Sequence, residues 1–310
     1  MKRKLRRALS SALALTLLLL LLCPQAWAAS SGKFGKTKNL TWSYKGDTLV
    51  ISGKGEMNDF DSQYWGYHTT PWQSAGGQMA KTLIIEEGVT TLGTYAFDGF
   101  SRLTTVCLPD SLTEIREGAF TFCPVLQKVT IPGGVKSLGR YLFSRCPKLT
   151  RLTLCGSSTV FEDLSVGYYY EEVAEGENVF LDKDFMSALT IVGPKSSTAQ
   201  AYAEKYQVNF ELYQQPKPSK TALRSVQNAK GRKLIASWTC NPSGKGYELQ
   251  YSTDKKFKKG VKKRKISQIS VTSFTIPKLS RGKTYYVRIR TVSGKKVSGW
   301  SGVKKVKIKK

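Results

Sequence analysis

The chain has 310 residues, 40% hydrophobic and 23% charged, with a formal net charge of +27. That length accommodates two domains, and that composition excludes a chain too polar to fold. The charge is unevenly spread: residues 216–310 carry 27 Lys and Arg against two acids, Glu248 and Asp254, whereas residues 29–215 carry a net charge of −3.

At the N-terminus Lys2, Arg3, Lys4, Arg6 and Arg7 precede an apolar run over residues 8–23, followed by Pro24 and Ala26-Trp27-Ala28. A charged start, an apolar stretch and an A-x-A site predict an export signal, residues 1–28, cut before Ala29. The run is shorter than the ~20 residues of a spanning helix, so no permanent anchor is expected. Leu22 stands where a small residue would precede a lipid-modified Cys23. The address predicted is extracellular or cell-surface associated.

Residues 29–38 are small and polar and read as a flexible lead-in. Alternating apolar residues on either side of Lys45-Gly46-Asp47 predict a hairpin, placed as a cap on the open end of the repeats that begin at Lys81. Residues 53–80 hold Tyr64, Trp65, Tyr67, Pro71 and Trp72 in a polar frame. They are expected to complete that cap, because large aromatics are more often buried than grouped in exposed patches. An exposed aromatic patch is the alternative.

Residues 81–149 write one 23-residue phrase three times: KTLIIEEGVTTLGTYAFDGFSRL, TTVCLPDSLTEIREGAFTFCPVL and QKVTIPGGVKSLGRYLFSRCPKL, with TRLTLCG opening a partial fourth copy at 150–156. In register, Leu83, Val106, Val129 and Leu152 share a column, as do Ile85, Leu108, Ile131 and Leu154, and Phe97, Phe120 and Phe143. A period of 20–29 residues with such columns predicts a leucine-rich-repeat solenoid, each unit too short to bury its apolar face alone. Leu83 and Ile85 alternate as in a strand, while Val89, Leu92 and Ala96 come at helical steps. Each repeat is therefore read as a short strand plus a short helical turn.

The fourth copy loses the pattern after Gly156, and Glu171, Glu172, Glu175 and Glu177 read as an acidic, irregular insertion. A strand at 189–193, a helix at 198–206 and a strand at 208–212 make a C-terminal cap, closing one capped domain at 29–213. Residues 214–219 are a Pro-rich polar linker. Beyond it, strand-like runs at 233–238, 247–252, 270–276, 284–291 and 303–308 predict an all-β sandwich over 220–310. The fold class is mixed, a capped solenoid and then a sandwich.

The repeat phrase, visible at 129–149, resembles the BspA-type leucine-rich repeats of bacterial surface proteins, as do the flanks NLTWSYKGDTLVISGKGEM and STAQAYAEKYQVNF. Phe100 departs from that pattern, standing where a cysteine usually sits. The resemblance implies a cell-surface or secreted interaction protein, often an adhesin, with no catalytic residues to transfer. Residues 219–310 are similar to a fibronectin type III domain: Trp238 fits the core of strand B, Tyr247 and Leu249 strand C, and Leu279 with Tyr285 the tyrosine corner. That family implies a spacer or binding module.

Cys107, Cys123, Cys146, Cys155 and Cys240 lie beyond the signal. Cys123 and Cys146 share a column, so they sit on neighbouring rungs about 5 Å apart. A bridge between them is geometrically open, but ladder side chains run parallel, and two buried thiols are the expectation. His68 is the sole histidine, no CxxC spacing accompanies it, and no G-x-S-x-G phrase occurs. No metal, cofactor or catalytic site is expected.

Two surfaces are candidate binding sites. If Leu83, Ile85 and their equivalents point inward, the intervening residues line the opposite, concave face. That assigns a ligand role to Thr82, Thr105, Lys128, Thr130, Arg151 and Thr153, centred on Lys128 and Arg151, the alternative being a solvated strand face. The second is a block of Lys255, Lys256, Lys258, Lys259, Lys262, Lys263, Arg264 and Lys265. Such density favours anionic polymers through counterion release: wall teichoic acid, acidic polysaccharide or host glycosaminoglycan. The alternative there is a charge that serves solubility. Nucleic acid is not expected, since no base-reading motif appears. The reading is an exported, non-enzymatic, adhesin-like binding protein with a protein or polysaccharide partner at the cell surface and a basic spacer or tether. A carbohydrate-binding accessory module of a hydrolase system competes with it, and an exposed Trp65–Trp72 platform would favour that module. No LPxTG-like phrase ends the chain, so covalent wall attachment is not expected.

Overall fold

In the computed structural model the described residues are 30–61, 70–162, 165–166, 168–173, 176–181, 188–214 and 217–309. The export signal, Tyr64, Trp65, Tyr67 and His68 lie outside them, as does Glu175. Strands dominate.

The chain opens with β1 (Ser30–Phe34), β2 (Leu40–Lys45), β3 (Thr48–Gly53) and the short β4 (Gly55–Glu56). β2 and β3 are the expected hairpin, turning at Gly46 with a φ of 61°. The lead-in expectation is corrected: residues 30–34 are a strand, paired antiparallel with β2 from Ser30 opposite Tyr44 to Phe34 opposite Leu40. Gly32 makes that pairing feasible, because a Cβ there would fall 2.6 Å from the Trp42 ring nitrogen. β3 then pairs in parallel with the first repeat, setting the hairpin against the open end of the stack.

Each repeat contributes two strands. The first set is β5 (Thr82–Ile85), β7 (Thr105–Cys107), β9 (Lys128–Ile131) and β11 (Arg151–Leu154). The second set is β6 (Val89–Leu92), β8 (Glu114–Ile115), β10 (Ser137–Leu138) and β12 (Val160–Phe161). The helical turn expected at Val89 and Leu92 is thus replaced by a strand, and β4, β6, β8, β10 and β12 form one five-stranded parallel sheet. β-Branched Val89, Thr90 and Thr91 suit a strand, and the next copy uses their carbonyls: Thr113 N–H reaches Thr90 O at 2.8 Å and Arg116 N–H reaches Leu92 O at 3.0 Å. A helix would have spent those carbonyls internally.

A third ladder completes each copy. Tyr95, Phe97 and Gly99 donate N–H to Glu117, Ala119 and Thr121, and Gly118, Phe120 and Phe122 donate to Arg140, Leu142 and Ser144. Left-handed backbone recurs at fixed columns: Tyr95, Gly118 and Tyr141 at 52°, 59° and 51°, then Gly99, Phe122 and Arg145 at 73°, 53° and 56°. Tyr95 and Tyr141 hold this conformation with a side chain, but at Gly118 a Cβ would fall 2.2 Å from the Tyr95 ring, so the close approach calls for glycine there. Recurrence of an uncommon conformation at matched positions shows that the three copies share one local backbone course.

The side chains agree. Phe97 stacks on Phe120 at 5.7 Å and 22°, and Phe120 on Phe143 at 5.7 Å and 10°. Trp72 extends the column, stacked on Phe97 at 5.5 Å and 16° with Phe34 and Phe60 edge-on. Trp72 is fully buried against these rings. One apolar cluster runs without a break from Phe34 to Val208. Cys123 and Cys146 are free, buried thiols that donate to the carbonyls of Phe97 (3.4 Å) and Phe120 (3.0 Å) on the preceding rung.

The acidic segment is a hairpin of β13 (Tyr168–Val173) and β14 (Gly176–Leu181), not irregular chain. The stretch expected as a C-terminal cap contains β15 (Thr190–Gly193), α1 (Thr198–Lys205) and β16 (Asn209–Leu212). Ser197 caps α1, its Oγ accepting the Gln200 N–H at 3.2 Å. β9, β11, β15 and β16 make one parallel sheet, while β5 and β7 belong to the sheet of the N-terminal cap. The first strand set is therefore divided between copies two and three.

The C-terminal segment consists of β17 (Leu223–Ala229), β18 (Lys233–Trp238), β19 (Gly246–Ser252), β20 (Lys262–Ile266), β21 (Ser273–Ile276), β22 (Thr284–Ser293), β23 (Lys296–Val297) and β24 (Lys304–Lys307). β17, β18 and β21 form one sheet; β20, β19, β22 and β23 form the other, with β24 also on β22. Trp238, Tyr247, Leu249, Leu279, Val287 and Ile289 share one buried cluster drawn from both sheets. The Tyr285 hydroxyl accepts the Ser280 N–H at 3.1 Å, as a tyrosine corner requires. No helix among the described residues is long and apolar enough to cross a membrane.

Candidate functional site

Along β9 and β11 burial alternates as expected: Val129, Ile131, Leu152 and Leu154 are buried, while Lys128, Thr130, Arg151 and Thr153 face away from the core. Along β5 and β7 the alternation fails. Ile84 and Cys107 hold the outward column and are nevertheless buried, at 4% and 0% exposure. The C-terminal segment covers them. Cys107 is disulfide-bonded to Cys240, 133 residues away, and Val50, Ile84, Cys107 and Cys240 form a separate apolar cluster. Val50, Ile84 and Cys107 are register partners across β3, β5 and β7. The same column continues as Thr130 and Thr153.

That bridge sets a loop beside the remaining outward face. Residues 242–245 stand over a cleft of about 320 Å³ whose floor is Lys128, Thr130, Arg151 and Thr153, with Tyr213 at its edge. A second hollow, about 500 Å³, continues past Tyr213 along Arg151, Thr153, Glu211 and Leu212. Of the six residues assigned to a ligand face, the structure gathers these four; Thr82 and Thr105 lie beside one another on β5 and β7, outside the cleft.

The cleft is less cationic than its sequence suggests. Arg151 Nη2 meets Glu211 Oε2 at 2.6 Å, and that pairing holds the Glu211 carboxyl below its usual range. Glu211 comes from the cap, 60 residues away, and only the strand order brings it there. Lys128 and Lys245 are the exposed cations that remain. Tyr213 has its phenol pushed up to about 12, first by burial and then by the neighbouring Cys155.

The loop is held firmly. Asn241 is buried and donates to Ser219 O at 2.8 Å and to Thr291 Oγ1 at 3.1 Å. Its N–H reaches the Tyr247 hydroxyl at 3.0 Å, and Lys245 N–H reaches Val292 O at 2.8 Å. These bonds tie the wall of the cleft to the sheet behind it.

The eight cations of the second candidate are all exposed. Lys255, Lys256, Lys258 and Lys259 lie on the β19–β20 loop, shaped by Asp254, whose carboxylate accepts the N–H groups of Lys256, Lys258 and Lys259. Those same bonds hold Asp254 below the usual aspartate range. Lys262, Lys263, Arg264 and Lys265 lie on β20, an edge strand, where charge also discourages pairing with other chains. Register extends the patch: Lys263 lies opposite Gln250 and Lys265 opposite Glu248, and across β19 those two face Arg288 and Arg290 of β22. Trp300 stacks on both guanidinium groups at 4.3 and 4.4 Å, and Glu248 pairs with Arg290 at 2.6 Å. Among the described residues, no group of three or more His, Cys, Asp or Glu is placed to hold a metal.

Comparison with known proteins places both parts. The model of the BspA type leucine rich repeat region matches residues 77–168 in six copies, and that of the fibronectin type III domain matches residues 216–306. A leucine-rich repeat protein from Eubacterium ventriosum is similar at 17% identity and a TM-score of 0.39; the match covers 54% of this chain and 45% of that one. The chicken CNTN1 FN1-FN3 domains match at 16% identity and a TM-score of 0.28, over 33% of each chain. An Fn3-like protein from Clostridium thermocellum matches at 18% and 0.27, over 31% of this chain and 97% of that one. No curated protein matches the chain. The chain thus joins a BspA-type leucine-rich repeat region to a fibronectin type III domain.

Proposed function

We propose that this is an exported, adhesin-like interaction protein of the cell surface: the repeats coil into a solenoid that presents a ligand groove, and the basic fibronectin-type sandwich holds an anionic polymer such as wall teichoic acid or glycosaminoglycan. The observation that carries the reading is the separation of charge and surface. A nearly neutral repeat segment offers a groove, while 27 Lys and Arg against two acids sit on residues 216–310, with the whole eight-residue block exposed. Polyanion binding by such a surface releases counterions and weakens steeply with salt. Burial of Trp72 removes one of the two rings that a flat sugar-binding platform would need.

The test is retention of the full chain on isolated teichoic-acid-bearing walls across a salt gradient. Replacing Lys255, Lys256, Lys258 and Lys259 by Ser is expected to move elution to markedly lower salt. Retention that persists at high salt, or a variant eluting with the parent, defeats the tether.

A further inference from the structure

The groove belongs to two parts of the chain, and its role as a binding site rests on the ligand-face reading. Three observations converge. The outward column is apolar at Val50, Ile84 and Cys107, where Cys240 of the C-terminal segment packs on it, turns polar and half-buried at Thr130 and Thr153, and is apolar again at the buried Val192 of β15. The Cys107–Cys240 bridge fixes that boundary covalently. Lys245, from the 242–245 loop, lines the same cleft as Lys128, while Arg151 is already neutralised by Glu211.

We propose that this groove is a two-domain site for an extended acidic peptide, with a carboxylate held between Lys128 and Lys245 and the adjacent apolar side chain seated on Leu212 and Tyr213. Leu212 is the unexplained apolar surface of the groove, 53% exposed at the end of β16. Successive residues of an extended peptide project to opposite sides with a rise of about 3.3 Å, so a charged side chain and its apolar neighbour reach opposite sides of one groove. The volumes, about 320 and 500 Å³, lie in the range of about 300–1,000 Å³ of small-ligand sites, enough for a few side chains. The bridge matters because a wall already in place loses no freedom on binding.

The test uses the full chain and a labelled hexapeptide alternating Glu and Leu, with Gln-Leu and Lys-Leu counterparts. Peptide mapping without reductant first checks for the Cys107–Cys240 cross-link; its absence in folded protein overturns the proposal. The Glu-Leu peptide is expected to bind best. Lys245→Ala and Lys128→Ala are each expected to weaken it about tenfold, the scale of one lost charge-assisted contact. Cys107→Ser with Cys240→Ser is expected to weaken it comparably; should that variant not fold, the exposed Lys245→Ala carries the test. Loss with Lys128→Ala but not with Lys245→Ala returns the site to the repeats alone: the two-domain inference fails and the ligand face stands. Binding lost instead when Lys255, Lys256, Lys258 and Lys259 become Ser assigns the peptide to the lysine loop and overturns the proposal. No binding to any peptide of the set overturns it as well.

Discussion

The inward and outward columns of the same four strands obey different rules. Inward, Leu83, Val106, Val129 and Leu152 vary only among aliphatic residues, and all are buried at 3% exposure or less. Each packs against its own counterpart one rung away, so a change in one copy disturbs two contacts. Outward, the column runs Ile84, Cys107, Thr130, Thr153, changing character halfway. Stacking does not constrain these positions; whatever lies over them does. Uniformity therefore marks what the repeats do for each other, and departure from it marks where something else arrives.

The comparison breaks most severely from the inside. Phe120 is fully buried between Phe97 and Phe143. Phe120→Ala is expected to cost about 3–5 kcal/mol, since neighbours held in register on both sides cannot collapse into the void. Denaturant unfolding of the parent and variant chains measures it. A cost under about 1 kcal/mol would mean the aromatic column is not a cooperative part of the stack.

Removing the outward apolar contact comes second. Cys240→Ser is expected to cost about 2–4 kcal/mol in the docking of the C-terminal segment onto the repeats, typical of a lost native bridge. The readout is calorimetric: a coupled transition should split, with the C-terminal segment melting on its own. An unchanged trace would show that Val50 and Ile84 hold the contact without the bridge.

The same asymmetry decides what could be read from the sequence. Inward columns were legible because a residue facing its own copy must match it, and the β2–β3 hairpin and the helix α1 were marked by local patterns. Cys107 was visible in the outward column, but a partner 133 residues away depends on where a whole second domain sits. Glu211 neutralising Arg151 was hidden for the same reason. Short elements misled locally. Val89 and Leu92 are spaced three apart, which fits either a helical turn or a four-residue strand, and only inter-rung hydrogen bonds decide. Residues 30–34 have no apolar alternation and form a strand because β2 offers an edge. Lys262–Ile266 was legible only as charge, since an exposed edge strand needs no hydrophobic face.

A smaller effect tests what charge adds to the inward columns and the hydrogen-bond ladders that tie the chain's first strands to the repeats. Arg116, at the end of β8, reaches Asp59 at 3.0 Å, Glu56 at 3.3 Å and Glu114 at 3.3 Å, linking the N-terminal cap to the second repeat. Asp59 also accepts the Thr94 N–H and hydroxyl, at 3.0 and 3.1 Å. Burial raises its pKa, but the Thr94 and Arg116 contacts outweigh that and leave it lowered. A depressed carboxylate stabilises the fold fully above its unfolded pKa, near 4, and loses that contribution as pH falls through the folded value. Asp59→Asn is therefore expected to cost about 1 kcal/mol at pH 7, discounted because the carboxylate is half exposed. The gap between parent and variant should narrow as the solution is acidified below about pH 4, read by thermal unfolding at a series of pH values. A gap that persists unchanged into acid would assign the loss to packing of the new amide rather than to charge.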